Sequence, residues 1–209
     1  MTVIRYLGRA CIEIIGDNDH LIFDPNFIEG PRKGISKIFL THKHDDHTDA
    51  EKILDIYQNY IREDKEMKIF GPSSVKRKIS QTPIKVEGGT TIELNDGNIK
   101  VYNIDCWGAE ECVGYLVNIN DKKILHTADS AKFSYRLRRI EKGIDLCFIA
   151  CFEDYYDDYL HFIKSIMPKL TIPYHFGPDE ENMGKNLVNF LKENQINTKF
   201  MSPGTEISL

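Results

Sequence analysis

One stretch decides the fold of this chain, Leu40-Thr41-His42-Lys43-His44-Asp45-Asp46-His47. It places three histidines and two aspartates within six consecutive positions, a density that indicates a metal site rather than a solvated polar loop. His42 and His44 are two residues apart, so in extended backbone their side chains leave on the same face and can share one ion. Asp46 and His47 follow where the chain must turn, and they are placed to reach a second ion beside the first.

The residues on either side of this stretch predict a strand that leads into it and a helix that leads out. The apolar run Ile38-Phe39-Leu40 is typical of a buried strand. Thr48-Asp49-Ala50-Glu51 matches the capping box, with Thr48 as the N-cap. Apolar residues then recur at helical spacing, namely Ala50, Ile53, Leu54, Tyr57 and Ile61. The candidate ligands therefore lie at a strand-to-helix junction that the core holds on both sides.

The rest of the pattern predicts many short strands and a few helices. Further strands are expected over residues 3–7, 11–15, 21–23, 67–70, 90–94, 99–104, 114–119, 123–125, 144–150, 170–172, 199–201 and 206–209. Further helices are expected over residues 73–80, 133–140, 156–167 and 183–191. Along the chain, the predicted strands come first and are followed by strands that alternate with helices. This order indicates an α+β or α/β domain in which two sheets pack face to face with helices outside.

The pattern His42-x-His44-x-Asp46-His47 resembles the HxHxDH signature of the metallo-beta-lactamase fold superfamily of metallohydrolases. The resemblance extends over nearly the whole chain. It implies an α/β fold, the four-layer αβ/βα sandwich of two mixed sheets with helices outside. It also implies a metal site in the cleft where the edges of the two sheets meet, and a metal-bound hydroxide as the attacking group.

Length and composition set the broad class. With 209 residues and 41% apolar content, the chain is expected to form a single domain, 1–209. A net charge of -5 provides no broad basic surface, which argues against a nucleic-acid partner. The N-terminal residues have no signal-peptide core, and no apolar run approaches the ~20 residues of a membrane span. We therefore expect no membrane partner and a cytoplasmic location.

The five cysteines predict a mostly reduced chain. They are odd in number and form no C-x-x-C pair, so neither a disulfide framework nor a zinc ribbon is expected. Cys11, Cys147 and Cys151 are interpreted as small buried apolar residues.

Two more candidate ligands, Asp129 and His175, follow apolar strands in the second half of the chain. Strand alternation sends His126 to the face opposite Asp129, so His126 is interpreted as structural. The resemblance matches Asp129 to the bridging carboxylate of the family and His175 to its final histidine. A helix N-cap for Asp129 and a buried, hydrogen-bonded imidazole for His175 are the alternatives.

Transferred residue by residue, the resemblance implies two divalent transition-metal ions. His42 and His44 resemble the ligands of the first ion, and Asp46, His47 and His175 resemble those of the second, with Asp129 between them. Asp46 is also placed to orient the hydroxide, which makes it the candidate catalytic residue. Imidazole and carboxylate ligands suit zinc, iron or manganese, and zinc is the metal we expect.

One departure from the family concerns the first ion. Relatives supply a third histidine from the middle of the chain, where this sequence reads Asp105-Cys106-Trp107-Gly108. Counting along the strand from Gly97 places Cys106 where that histidine would stand, so Cys106 or, failing it, Asp105 is predicted to complete the first site. The alternative is a packed, apolar Cys106 beside a buried Trp107, with a first site that is incomplete or filled by water.

The sequence also predicts the position or role of several other polar residues. Asp24 follows a buried strand and is expected to support the metal loop, with a turn or cap role as the alternative. His20 and His161 are expected at the surface. Arg9 stands where proteins of the lactonase-like branch often have histidine. The three arginines Arg136, Arg138 and Arg139 are interpreted as a solvated helix face rather than as an anion site.

The function that the resemblance implies is a metal-dependent hydrolase acting on a small, anionic ester, either a phosphoester or a lactone of a phosphorylated sugar. One alternative is a non-catalytic, regulatory metal-binding protein whose first site has degenerated. A second is a di-iron redox protein, which would need a separate partner because the chain has no fused flavin module.

Overall fold

The computed structural model describes residues 1–62, 66–132, 137 and 140–209. The helix predicted over residues 133–140 falls mostly outside these ranges, and so do Arg136, Arg138 and Arg139. Within them, no helix is long and apolar enough to cross a membrane.

The strands of the described chain are β1 (Val3–Gly8), β2 (Cys11–Ile15), β3 (His20–Phe23), β4 (Lys37–Phe39), β5 (Lys68–Gly71), β6 (Ile84–Lys85), β7 (Thr91–Glu93), β8 (Gly97–Asn103), β9 (Asp105–Cys106), β10 (Val113–Ile119), β11 (Lys122–His126), β12 (Ser130–Lys132), β13 (Leu146–Ala150), β14 (Leu170–Tyr174) and β15 (Glu206–Ser208). The helices are α1 (Ala50–Asn59), α2 (Tyr156–Ile166) and α3 (Glu181–Glu193). Short 3-10 turns occupy Ser73–Arg77, Glu153–Tyr155 and Pro178–Glu180.

Two mixed sheets form the sandwich that the sequence predicted. The first has the order β15-β1-β2-β3-β4-β5-β6, antiparallel as far as β3 and parallel from β3 to β6. The second has the order β14-β13-β11-β10-β8-β7, with β11, β13 and β14 parallel. A small ribbon of β9 and β12 lies apart from both sheets.

The main core lies between the facing sheets. Phe23 and Phe39 of the first sheet stack at 4.9 Å between ring centroids, and Tyr115 of the second sheet packs 5.6 Å from Phe23. All three side chains are fully buried. Burying each such ring contributes about 1.5–3 kcal/mol, so this layer holds the two sheets, and the loops at their edges, in a fixed relation.

A second apolar cluster covers the outer face of the first sheet with α1, whose Ile53 and Ile56 are buried. The N-cap of this helix is Asp49, one residue later than predicted. The Asp49 carboxylate accepts hydrogen bonds from the amides of Glu51 and Lys52, at 3.0 and 3.1 Å. The Thr48 hydroxyl instead donates to the carbonyl of His42 at 2.6 Å. Leu54, predicted on the apolar face, is 50% exposed.

Two other predicted elements are shorter than expected. The helix predicted over residues 73–80 is a 3-10 turn, Ser73–Arg77, without a side-chain cap. The strand predicted over residues 199–201 does not form, although an isolated bridge pairs the preceding residue, Thr198, with Thr171 of β14.

His20 is buried, so its predicted surface position is wrong. Its Nε2 lies 2.7 Å from Oε1 of Glu13, a fully buried carboxylate on the neighbouring strand β2. Burial raises the pKa of Glu13, but hydrogen bonds from His20, from the Arg32 amide and from Arg5 outweigh it and lower the pKa. A satisfied polar cluster therefore replaces apolar contacts on this part of the sheet.

Candidate metal centre

The loop that follows β4 is anchored in both sheets. The Leu40 amide donates to the carbonyl of Phe70 at 2.8 Å, which extends the pairing with β5 beyond the last residue of β4. From the second sheet, the Val113 amide donates to the carbonyl of Thr41 at 3.0 Å, and the Tyr115 hydroxyl donates to the carbonyl of Leu40 at 2.7 Å. The histidine loop is thereby fixed at the edge where the two sheets meet.

Hydrogen bonds within the loop fold it into a tight turn. The amides of His47 and Thr48 both donate to the carbonyl of His44, at 3.0 and 2.7 Å. The turn brings three imidazoles together, with ring centroids 4.5 Å apart for His42 and His44 and 4.0 Å apart for His42 and His47. The side chains of His42 and His47 are fully buried.

Asp129 and His175 follow strands of the second sheet and lie beside the histidines of this loop. Asp129 follows β11 after Ala128, which has a φ of 49°, and His175 follows β14 with a φ of 71°. Positive φ is uncommon for residues other than glycine and costs about 1–3 kcal/mol, so the surrounding contacts must enforce it. At His175, two backbone hydrogen bonds to the first sheet hold this conformation. The His175 amide donates to the carbonyl of Arg9, and the Arg9 amide donates to the carbonyl of Phe176, each at 2.9 Å.

The candidate ligand atoms form two groups that share Asp129. In the group that we name the first site, His42 Nε2 lies 3.0 Å from His44 Nδ1 and 3.5 Å from Asp129 Oδ2. In the second site, Asp129 Oδ1 lies 2.8 Å from His47 Nε2 and 3.1 Å from His175 Nε2. Asp46 Oδ2 completes the second site, 3.2 Å from His175 Nε2. The structure therefore brings together His42, His44, Asp46, His47, Asp129 and His175. The sulfur of Cys106 also lies within 4.8 Å of a ring nitrogen of His42, in a third group that includes Cys112.

These separations fit metal ions bound between the atoms. Metal-to-ligand bonds of ~2.0–2.1 Å at tetrahedral angles leave neighbouring ligand atoms ~3.3 Å apart. Two pairs of imidazole nitrogens face each other, His47 Nε2 with His175 Nε2 at 3.1 Å and His42 Nε2 with His44 Nδ1 at 3.0 Å, so each pair is placed to share either a proton or a metal ion. Asp129 Oδ1 is buried and, among the described residues, accepts no hydrogen bond of good geometry.

Asp24 supports this centre from behind. It is fully buried, and its carboxylate accepts hydrogen bonds from the Thr41 amide at 2.8 Å and the Thr41 hydroxyl at 2.7 Å. His47 Nδ1 donates to the same carboxylate at 2.7 Å, which leaves its Nε2 lone pair facing the second site. A carboxylate that fixes the tautomer of a ligating histidine is a common feature of metal sites. This geometry agrees with the support expected of Asp24.

The charges of the site favour a cation. Burial raises the pKa of Asp46, but His175 and His47 outweigh it and hold that pKa at about 2. Burial, together with the neighbouring His47, lowers the pKa of His42 to about 3, so this imidazole is neutral and can donate a lone pair. At His47, burial lowers the pKa, but Asp129 and Asp24 outweigh it and raise the pKa. The carboxylates around His47 thus stabilise positive charge there, whether a proton or a metal ion.

Cys106 lies near this centre in a form that the sequence did not predict. It forms a disulfide with Cys112, which closes the excursion between β8 and β10. Cys112 Sγ lies 3.8 Å from His42 Nδ1, the ring nitrogen that also faces the Thr41 hydroxyl. In the disulfide, Cys106 has no thiolate to offer an ion. Asp105, the second choice, is exposed and belongs to neither ligand group.

The expectations for the three other cysteines and for His126 and His161 are confirmed. Cys11, Cys147 and Cys151 are buried free thiols. His126 is 2% exposed and packs between the rings of Phe23 and Tyr174, with ring centroids 5.6 and 5.0 Å away, so it is structural. His161 is exposed on α2.

A cavity of about 510 Å³ opens over the ligands, and its lining residues are His44, Asp46, Trp107, Asp129, Phe152, Asp154, Tyr155 and His175. Trp107, which the alternative interpretation of Cys106 placed in a buried segment, is 84% exposed. Phe152, Asp154 and Tyr155, which also line this cavity, were not predicted as site residues from the sequence. Their position in the sequence could have indicated this role, because they directly follow β13, at the edge of the sheet that carries the candidate ligands. A smaller cavity of about 270 Å³ adjoins the first and includes Arg9.

Two mixed sheets with imidazole and carboxylate ligands at their shared edge define the metallo-beta-lactamase fold, as the resemblance implied. The chain belongs to the beta-lactamase superfamily, because the profile described as the beta-lactamase superfamily domain matches residues 22–183. A protein of Enterococcus faecalis named UPF0173 metal-dependent hydrolase is 30% identical to this chain, and the alignment covers 96% of each.

Solved structures share the fold at lower sequence identity. The metallo-beta-lactamase fold protein YhfI from Bacillus subtilis superposes with a TM-score of 0.81 at 12% identity and 100% coverage of both chains. CmlA, a diiron beta-hydroxylase from Streptomyces venezuelae, superposes with a TM-score of 0.78 at 14% identity, over 100% of this chain and 54% of that one. At these identities the similarity establishes the fold alone.

Proposed function

We propose that this protein, a metal-dependent hydrolase of the beta-lactamase superfamily, holds two divalent transition-metal ions and cleaves a small ester. The observation that carries the proposal is the convergence of two groups of ligand atoms on one shared carboxylate, Asp129. Two ions bound there would supply an activated water and polarise the oxygen of the substrate. The chain itself needs no serine or cysteine nucleophile.

Zinc is the metal we propose. Imidazole and carboxylate ligands suit zinc, although iron and manganese use them too. Cys106 remains the proposed additional ligand of the first site, in a chain whose disulfide has been reduced. A thiolate ligand would favour zinc over manganese.

Asp46 is the proposed catalytic residue. Its side chain is 48% exposed and lines the large cavity, whereas His42 and His47 are fully buried. The carboxylate is ionised and is placed to accept a hydrogen bond from a water at the cavity floor, which would orient that water toward the substrate. Its neighbour Asp45 is 86% exposed and pairs with Lys78, so the two adjacent carboxylates have separate tasks.

The proposed substrate is a small molecule with an anionic group, a phosphoester or a lactone of a phosphorylated sugar, rather than a nucleic acid. Arg9 supports the anionic group, because it lines the smaller cavity beside His175 and Asp46. Its guanidinium is positioned by Asn26, whose Oδ1 accepts a hydrogen bond from Arg9 Nη1 at 2.5 Å. A cytoplasmic location stays a prediction from the sequence.

The experiment compares hydrolysis of phosphodiester, lactone and thioester substrates by zinc-loaded and chelator-stripped protein. We expect activity only in the loaded form. Asp46→Asn should lower kcat while Asp45→Asn, its matched control, should not. Arg9→Ala should raise KM for anionic substrates, whereas Arg32→Ala, which removes the ion pair with Glu206, should leave KM unchanged. Equal activity of loaded and stripped protein would refute the proposal.

One observation favours a non-catalytic metal-binding protein as the second candidate. The first site draws three candidate ligands from the described residues, and Cys106, the predicted additional ligand, is held in the disulfide with Cys112. A protein that holds its full complement of metal yet hydrolyses none of these substrates would support this candidate. Iron as the bound metal, with no hydrolysis, would instead support a redox function.

A further inference from the structure

Trp107 is the most exposed large apolar side chain of the described residues, at 84%. The segment that carries it is nevertheless well held. The Cys106–Cys112 disulfide closes its base, the Ile104 amide donates to the carbonyl of Cys112 at 2.9 Å, and the Ala109 amide donates to the carbonyl of Cys106 at 3.3 Å. Trp107 is therefore presented to solvent by a constrained turn.

This turn sets the tryptophan at the rim of the metal centre. Gly108 adopts a φ of 67°, and its carbonyl lies 3.4 Å from His44 Nε2. Among the described residues, and leaving out Gly108 and its two chain neighbours, no atom lies within 4 Å of the point that a Cβ at Gly108 would occupy. Trp107 consequently lines the same cavity as His44.

Two further aromatic side chains line this cavity. Phe152 is half-buried, and its ring centroid lies 5.0 Å from that of His175, a ligand of the second site. Tyr155 is also half-buried. Three aromatic side chains thus line a cavity whose floor carries the ligands of both sites. Its volume of about 510 Å³ is typical of small-molecule sites, ~300–1,000 Å³.

The charges of the cavity restrict the group that it can hold. Apart from the candidate metal ligands, the charged side chain that the described residues contribute to its lining is the carboxylate of Asp154, and none of them contributes a lysine or arginine. A second negative charge on the substrate is therefore disfavoured on this side. A flat, apolar group is favoured, since aromatic faces stack on such groups.

We propose that Trp107, Phe152 and Tyr155 form a subsite for a planar aromatic substituent, which narrows the proposed substrate to an aryl-bearing phosphoester whose single anionic group lies at the metal centre. The proposal rests on the proposed function for the position of the reacting group. Trp107 acts as a specificity-determining residue that contacts the substituent.

The test uses the fact that Trp107 is the one tryptophan of the sequence. Phenylphosphonate and methylphosphonate carry the same anionic group and differ in the ring. Each is titrated into zinc-loaded protein, with binding measured by calorimetry and tryptophan emission recorded in parallel. We expect phenylphosphonate to bind about tenfold more tightly and to shift the emission to shorter wavelengths, because the ring covers the indole.

Variants separate the subsite from the metal centre. Trp107→Ala should abolish the preference for phenylphosphonate without changing methylphosphonate binding, and Trp107→Phe should retain most of it. Leu54→Ala, which removes an exposed apolar side chain of α1 that does not line this cavity, is the control. Equal affinities for the two phosphonates, or an emission that stays fixed at saturation, would overturn the proposal.

Emission is also recorded with phenylphosphonate at high concentration in chelator-stripped protein. A shift in the emission of the stripped protein supports the subsite even if the protein binds no metal and the proposed function fails. No shift in either form overturns the subsite whether or not metal is present.

Discussion

The two candidate metal sites differ in how completely the described chain builds them. The second site gathers four candidate ligands, and Asp24 fixes the orientation of one of them, His47. The first site has two histidines and the shared Asp129, and the carbonyl of Gly108 lies beside His44. Ligands at the ends of core strands are held by the sheets themselves. The incomplete position depends on the segment around Cys106, which lies outside both main sheets.

The largest effect is expected at the residue that the two sites share. Asp129→Ala removes one ligand atom from each site, so it should abolish binding of both ions and lower activity by more than the roughly 10–100-fold typical of residues that only support ligands. Metal content per chain and kcat/KM measure this. Asp157→Ala, on the exposed face of α2, is the control, and an Asp129 variant that keeps two ions would contradict the shared role.

A smaller and selective effect is expected at Asp24. Asp24→Asn keeps the shape of the side chain but removes the charge that holds His47 Nδ1, so affinity at the second site should fall by roughly 10–100-fold. Competitive titration with a zinc chelator measures the two affinities separately. If instead the first site weakened more than the second, the supporting role would be assigned to the wrong site.

A third comparison concerns the first site alone. All forms are compared in a phosphine reductant, which frees the Cys106 thiol of the wild type; neither variant at this position can form the disulfide. Cys106→Ser should lose the first ion while Cys106→His keeps it, because the histidine restores a third imidazole. Oxidation of the wild-type chain should weaken the first site and leave the second unchanged. Full occupancy in the reduced serine form would show that Cys106 is not a ligand.

The smallest effect on metal binding is expected far from both sites. Glu13→Gln weakens the buried cluster with His20 and Arg5, so the free energy of unfolding should fall by about 1–3 kcal/mol while metal content is unchanged. The pKa of Glu13 is lower than its ordinary value of 4.5, so its stabilisation is present above that pH and is lost as pH falls through the folded value. Urea unfolding at neutral pH and at pH 3 tests this, since the variant and wild type should differ less at the lower pH.

The sequence predicted the parts of the molecule that depend on short-range pattern. His42, His44, Asp46 and His47 lie in one loop, and apolar strands lead directly to the other two ligands, so spacing alone was informative. Pairing across the fold was not predictable in this way. The burial of His20 depends on Glu13 of the neighbouring strand, and the disulfide depends on how the excursion between β8 and β10 closes.

The exposure of Trp107 was likewise not predictable from the sequence pattern. A lone tryptophan beside a cysteine is typical of a buried segment, and the sequence contains no signal that the turn projects it outward. The exposure follows from the constraint at the base of that turn and from its approach to His44, both of which are tertiary contacts.

The most direct test of a two-ion centre is elemental analysis of the purified chain after incubation with zinc and removal of excess metal. We expect two ions per chain in the wild type and in His161→Ala, whose exposed imidazole serves as the matched control. We expect one ion in His175→Ala, with the fold retained by circular dichroism. A wild-type chain with no zinc above background, or a His175→Ala chain that keeps two ions, would contradict the account.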